Sequence, residues 1–488
     1  MVTLSQELAR FIVKTNYDNI PKKVINLAKD QVISVLGSIY AGSKVKGCKI
    51  IKKTVLEDFG SREGVYTIIP SGEKVSLNES IMVNQGNAIA LDYDDYLTMA
   101  HTGVSTIPMS LTLSEHTKLS GKEFLTAIII GNEVTGRVGA SILIGPSNGQ
   151  LWSYVHLASS CAITSKVLGL NEEQIANAFG IAMYVNTHAL YRGFMGPMAK
   201  LLTSSAPSKL GMEAVFLARN GFTGALDIFE SPIGWCNFTA DIPIPSFIKS
   251  KLGEAWVTET ISFKMVPGCA YVSPIADCIN KIFKKEPNLN YKDIKKINVH
   301  ASLLMAAMDD LSRPFTNLEE LKRTQSHIAL NFYIPYNVAV MLIDKRLTPE
   351  QLKEDRMLDP EVHELAKKVK TISDLGATRD TLNLVSSLDI KIQDEELQAN
   401  FKKDQMEKLD MSFGARMVIE MNDGKKYSAR VKSPSGSPGN RTPIEPKLIQ
   451  EATYIGMSES KIKEIINLIR NIENIDDIGK KFIPNICL

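Results

Sequence analysis

Cysteine is sparse and scattered in this chain: Cys48, Cys161, Cys236, Cys269, Cys278 and Cys487 are all there is in 488 residues. No two of them form the C-x-x-C spacing of a zinc or iron–sulfur site, so they are expected to serve as small buried apolar side chains. Net charge is equally scarce, with 56 Lys plus Arg against 54 Asp plus Glu. No basic stripe interleaved with aromatics appears, and the electrostatic footprint of nucleic-acid binding is therefore missing. No run approaches the roughly 18 apolar residues needed to cross a bilayer. Met1–Tyr17 has no continuous apolar stretch like that of a secretory signal. A cytoplasmic protein with no membrane and no nucleic-acid partner is expected. G-x-S-x-G, G-x-G-x-x-G and H-E-x-x-H patterns are also absent, which removes the commonest hydrolase, dinucleotide and zinc-protease readings.

What is present is an ordinary globular composition, 44% apolar and 23% charged. The length exceeds the roughly 250–300 residues at which one hydrophobic core stops growing, so two domains or one large insertion are expected. From Leu4 to about Ala240 the strong segments have helical periodicity. Val24 to Leu36 repeats at helical spacing and stops at Gly42, Ser120-Gly-Lys-Glu123 is a capping box opening a helix through Val138, and Asn171 caps Glu172–Met183. Small residues at Ala158–Ala162 and at Ala206, Gly211 and Ala214 allow close helix packing.

After about Ser262 the texture changes. Residues 295–301, 388–392 and 417–421 alternate like strands, and Asn422-Asp-Gly424 signals a hairpin turn. Thr348-Pro-Glu-Gln351 predicts a helix start, and a final helix is expected over Ile462–Ile475. The simplest architecture is mainly α: an all-helical domain from both chain ends, 1–262 plus 441–488, carrying an inserted α/β lid, 263–440.

Chemistry concentrates in Asp92-Tyr-Asp94-Asp95-Tyr96 followed by His101. Three carboxylates buried together raise one another's pKa, which suits acid–base work near neutrality. The residues alone favour a plainer reading, a solvated acidic turn with a structural histidine; a magnesium site is a third and lesser option. Lys200, after Gly196-Pro197, is suited to holding a substrate carboxylate, although a snorkelling surface lysine fits the local pattern better. His156 and His188 fit core or capping positions better than ligand positions.

These segments, in this order, resemble the MmgE/PrpD family, whose activities include dehydration of 2-methylcitrate, decarboxylation of cis-aconitate and epimerisation of iminodisuccinate. The resemblance is carried by Val35-Leu-Gly37, Gly86-Asn-Ala-Ile-Ala-Leu-Asp-Tyr-Asp-Asp95 with His101, Ser120–Ala127 running into Gly131-Asn-Glu133 and Arg137, Lys166–Leu170, Lys200 with Gly211, Gly221–Gly224, Pro335-Tyr336 and Ser435-Gly-Ser-Pro438. It implies catalytic roles for Asp92, His101 and Lys200 in a site between helical domain and lid. It also implies a small carboxylate substrate, no metal or other cofactor, and a homodimer. The chain departs from the family pattern at Tyr96, where threonine is usual. It departs again at Gln150, where a histidine is usual and His156 follows six residues on, and at Ser273, another histidine position, close to Tyr271. Those five residues are the expected substrate contacts. The leading expectation is a hydro-lyase acting on a 2-methylcitrate-like acid; decarboxylase, epimerase and non-catalytic binder are the alternatives.

Overall fold

The computed structural model describes residues 2–59, 64–98, 100–143, 145, 151–185, 189–379, 388–393, 396–408 and 413–488. Gln150 and His188 lie outside the described residues. The chain is mainly α, as its periodicity implies, and its sheets are small.

The first half is a stack of buried helices. Gly121–Ser141 begins at the expected capping box: Glu123 N–H donates to Ser120 Oγ at 3.3 Å and Ser120 N–H to the Glu123 carboxylate at 2.8 Å. Between helices Leu151–Val167 and Ser205–Arg219 there is no room for a side chain at Gly211, where a Cβ would stand 2.1 Å from Ser160 Oγ. This is the close approach that the small residues allow. The Glu133 and Arg137 of the family pattern prove to be a structural clasp. Fully buried, Glu133 accepts from the N–H groups of Val257 and Thr258 at 3.0 and 2.9 Å, while Arg137 donates to Ala255 O at 2.6 Å. Together they tie the segment before β4 to the helix core.

Ten strands occur among the described residues. Two short antiparallel pairs come first: β1 (Tyr66–Thr67) with β2 (Lys74–Val75), and β3 (Asp95–Tyr96) with the distant β4 (Ser262–Phe263). β5 (Ile294–Ala301), β6 (Val369–Ser373), β9 (Ala415–Met421) and β10 (Lys426–Val431) form one sheet in the order β10-β9-β5-β6, with β5 and β6 parallel. β7 (Leu388–Gln393) and β8 (Glu396–Phe401) pair separately. The expected turn at Asn422-Asp-Gly424 joins β9 to β10, with Gly424 at a φ of 86°. Helix Val272–Lys285 covers this sheet, and its amphipathic pattern buries Ile275, Ile279 and Ile282.

The C-terminal segment packs back onto the first-half helices. Leu448 of helix Glu445–Tyr454 faces Gly37, and Tyr40 donates its hydroxyl to Ile486 O at 2.8 Å. Two expectations need correction. The Thr348 cap forms, but it opens only a 3-10 turn, Pro349–Leu352, because the backbone turns extended at Lys353. The last long helix is Glu459–Arg470, not 462–475: the chain leaves helical geometry at Asn471 so that Ile472 can dock against the start of helix Gly121–Ser141.

At that contact Gly121 N–H donates to Ile475 O at 2.7 Å, and a Cβ on Gly121 would lie 1.6 Å from Ile472 O. Gly121→Ala is expected to lower stability by about 1–3 kcal/mol, the usual cost of overpacking. Urea unfolding measures it, and an unchanged midpoint would show that the C-terminal segment is not held there.

Candidate active site

Helix Leu77–Ile89 opens on a second capping box, Ser76 with Glu79, and runs buried to Ile89. The chain then makes a tight bend in which Asp92 takes a φ of 49°, in the left-handed region that aspartate tolerates better than most residues. β3 follows at once and pairs antiparallel with β4, Asp95 opposite Phe263 and Tyr96 opposite Ser262. Further backbone bonds fasten the bend to the same downstream segment: Lys264 N–H to Asp94 O at 3.2 Å, and Gly268 N–H to Leu91 O at 2.9 Å. Residues some 170 positions apart in sequence are thereby placed side by side.

The acidic cluster is not a solvated turn. Asp92, Asp94 and Asp95 are all buried, and so is His101. Lys200, in the 3-10 turn Met198–Leu202, is buried as well rather than snorkelling; its ammonium lies 3.1 Å from Asp92 Oδ1 and over the rings of Phe332 and Phe194 at 4.9 and 5.3 Å. Aromatic faces attract a desolvated cation, so the pocket suits an ammonium group. A second lysine joins it. Lys264 donates to Asp92 O at 2.8 Å and Asp94 Oδ1 at 3.0 Å, with Asp92 Oδ1 at 3.5 Å. His101 donates from Nδ1 to Asp94 Oδ2 at 2.9 Å.

Two lysines and two aspartates thus offset one another in the interior. Burial by itself would raise the Asp92 carboxyl, but the Lys200 and Lys264 ammonium groups and His101 hold it below its ordinary value. Asp94 is likewise held down, against burial, by His101 and Lys264. Lys264 is pushed up by the same two carboxylates despite its burial. Asp95 goes the other way: burial and the neighbouring Asp94 charge push it up to about 7. Its Oδ1 accepts from Gln31, Thr102 and the Gly103 N–H at 3.0–3.2 Å.

Lys264 was not anticipated from sequence. Its only local sign is a lone charged residue in the mostly apolar stretch Ile261–Pro267, and only the β3–β4 pairing shows what it faces. Lys447, also unanticipated, comes from the C-terminal helix. Buried beneath the bend, it donates to Tyr93 O and to Ser34 Oγ at 2.9 Å, with the Tyr93 ring 3.9 Å away. Burial pushes it down to about 7, and Glu451, one turn on, is pushed up to about 7 by the same cause.

Of the expected contact residues, His156 and Tyr271 lie within electrostatic reach of this centre. His156 is buried, 2.9 Å from Ser105 Oγ through Nδ1, and burial followed by the proximity of His101 pushes it down to about 3, so it is neutral. Its Nε2 has no hydrogen-bond partner among the described residues. Tyr271 is buried close to Asp92, but its hydroxyl is spent on Phe332 O at 2.7 Å. The Tyr96 and Tyr271 rings both pack against Phe413. Ser273 is buried in the first turn of helix Val272–Lys285. His327 donates from Nε2 to Ala90 O at 3.0 Å and is kept neutral by burial, which lowers it to about 4.

Asp92, Asp94 and His101 are close enough together to share one metal ion. Any such ion would meet two ammonium groups already seated on the same carboxylate oxygens, so the donor set suits lysine cations better than a divalent metal.

Residues 6–247 match the MmgE/PrpD N-terminal domain and residues 266–465 the MmgE/PrpD C-terminal domain. The chain belongs to the MmgE/PrpD family. It is 25% identical to a cis-aconitate decarboxylase of Aspergillus terreus, over 97% of this chain and 94% of that protein. It is 27% identical to a cis-aconitate decarboxylase of Mus musculus over 58% of each chain, and 23% identical to a probable 2-methylcitrate dehydratase of Saccharomyces cerevisiae over 77% and 74%.

Asp95 yields a pH prediction. Its folded pKa exceeds its unfolded value near 3.9, so the native state binds more protons and stability contributed by this group falls as pH rises from about 4 to about 7. Asp95→Asn keeps the Oδ1 acceptor and removes the titration. Urea unfolding at several pH values is expected to show a flatter decline in the variant, by at most about 1.4 kcal/mol per pH unit; parallel curves would mean that folding leaves the Asp95 pKa unshifted.

Proposed function

We propose that this protein is a lyase that moves a proton at the carbon beside a carboxylate and eliminates water from a 2-methylcitrate-like hydroxy di- or tricarboxylate. The observation that carries the reading is the convergence of two buried ammonium groups and a carboxylate-held histidine around Asp92. Removing such a proton leaves negative charge that spreads onto the carboxylate. Preorganised cations in a dry site stabilise that charge far better than water does.

In this reading Lys200 takes the developing charge. Lys264, saturated by three acceptors, keeps the acidic bend in place. Asp92 stays ionised at neutral pH and orients the lysines rather than acting as the base. With Nδ1 engaged by Asp94, proton exchange with substrate falls to Nε2 of His101. The base takes the proton from carbon, the electron pair forms the carbon–carbon double bond, and the hydroxyl leaves carrying the proton returned by the imidazolium. Atoms and charge balance without a redox partner. Neutral His156, whose Nε2 has no hydrogen-bond partner among the described residues, is the contact with most support; Tyr96, Tyr271 through its ring, and Ser273 are proposed beside it, and Gln150 rests on the family resemblance alone.

A second reading, decarboxylation of a cis-aconitate-like acid, is supported by the Aspergillus terreus relative, whose alignment covers nearly the whole chain. It uses the same cationic site, with carbon dioxide rather than hydroxide departing and the imidazolium delivering a proton to carbon. Epimerisation would need the proton transfers alone.

Proton NMR in D2O with 2-methylcitrate, citrate, cis-aconitate and malate separates these readings. Loss of water is the expected outcome; loss of carbon dioxide selects the second reading, α-deuteration without loss selects epimerisation, and silence across the panel argues against all three. Lys200→Ala and His101→Asn are each expected to lower kcat at least about 100-fold. Full activity in either variant removes that residue from the chemistry.

A further inference from the structure

The Asp92 centre is closed: its aspartates, both lysines and His101 are buried. A charged substrate therefore needs an approach. A cleft of about 660 Å³ opens beside it, between the start of helix Lys46–Glu57 and the segment Pro349–Met357. Its floor includes Leu91, the residue before Asp92, and His327, whose Nε2 holds Ala90 O. Gly47, in the helix that forms its first wall, lies against Leu201 and Met198 of the 3-10 turn that carries Lys200.

The rim is rich in cations. Lys44, Lys46 and Lys49 line one wall of the cleft, and Lys353, Glu354 and Asp355 line the other. Lys353 is committed to Glu350 at 2.8 Å, and Lys46 to Gln325. Lys44 and Lys49 are exposed and have no side-chain hydrogen bond or ion pair among the described residues. Their placement does nothing for the helix. No acidic residue occupies its first turn, and cations near a helix N-terminus oppose the backbone dipole. With four lysines against two carboxylates in its lining, the cleft carries an excess of positive charge over one concavity, which raises the local concentration of anions.

We propose that this cleft is a binding station for polycarboxylate anions, in which Lys44 and Lys49 capture the substrate before it passes the Leu91–His327 floor to the Asp92 centre. The inference rests on the polycarboxylate reading of the substrate. It adds a site outside the buried centre and gives its two free lysines a role in capture rather than in chemistry.

Citrate is the probe, titrated calorimetrically into the full chain and into Lys44→Glu/Lys49→Glu, with circular dichroism confirming that both are folded. At an ionic strength of about 20 mM the double variant is expected to bind citrate about tenfold more weakly, and at about 300 mM the difference is expected to shrink to under about twofold. Lys44→Gln/Lys49→Gln should fall between. For whichever substrate the NMR panel identifies, kcat/KM should follow the same pattern while kcat stays within about twofold. Equal citrate affinity at low salt, or a kcat loss matching the kcat/KM loss, overturns the capture site while leaving the proposed lyase standing. A wild-type chain that neither binds citrate nor turns over any acid of the panel overturns both.

Discussion

The structure depends on burying two lysines and two aspartates in one place. Each ion taken out of water alone carries a penalty of several kcal/mol, and removing one partner of such a pair typically costs about 3–5 kcal/mol. Lys200, Lys264, Asp92 and Asp94 are tolerated in the interior because each answers another at 3.0–3.5 Å. The rest of the local architecture keeps that answer exact in position. The left-handed bend at Asp92, the β3–β4 pairing and the bonds from Lys264 and Gly268 to the bend all fix the four groups in register.

The elements that bring them together come from far apart in the chain. Asp92 and Asp94 follow a first-half helix, Lys200 follows a Gly-Pro turn, and Lys264 follows β4. Lys447 supports the bend from the C-terminal helix. Around the loop that carries Gly436, packing is so close that a Cβ there would stand 2.2 Å from Phe263 O, and its φ of 90° admits glycine readily. Phe263 N–H in turn donates to Gly436 O at 3.0 Å, so this loop braces the residue before Lys264. The Ser435-Gly-Ser-Pro438 pattern is in this way a structural support for the site.

The electrostatics divide labour among chemically similar groups. Three aspartates within four residues differ because of what each faces: Asp92 and Asp94 meet cations and stay ionised, whereas Asp95 meets neutral donors beside another anion and is pushed towards neutrality. Two buried histidines are held neutral in the same way, His156 and His327 by desolvation, while His101 is paired with Asp94. Residue type is a poor guide to protonation here, and environment decides it.

How much could be read in advance follows the range of the forces involved. Periodicity and capping are local, so the helices at 22–42, 121–141 and 172–184, the strands at 294–301 and 415–421 and the turn at Gly424 were legible from the residues themselves. The Thr348 cap was legible but its helix was not, and the last long helix stopped at Arg470, because docking contacts override local propensity. Asp92, His101 and Lys200 were nameable through family resemblance, yet the residues alone favoured a solvated turn and a surface lysine. Burial of a charge is decided by its partner, and the partners of Asp92 lie 108 and 172 positions away. The sequence by itself therefore determined the helical class, the local starts and stops and the chemical groups on offer. Only the tertiary structure decided that Lys264 and Lys447 join them, that the aspartates are buried, and which of them stays charged, because those outcomes depend on distances that no local pattern encodes.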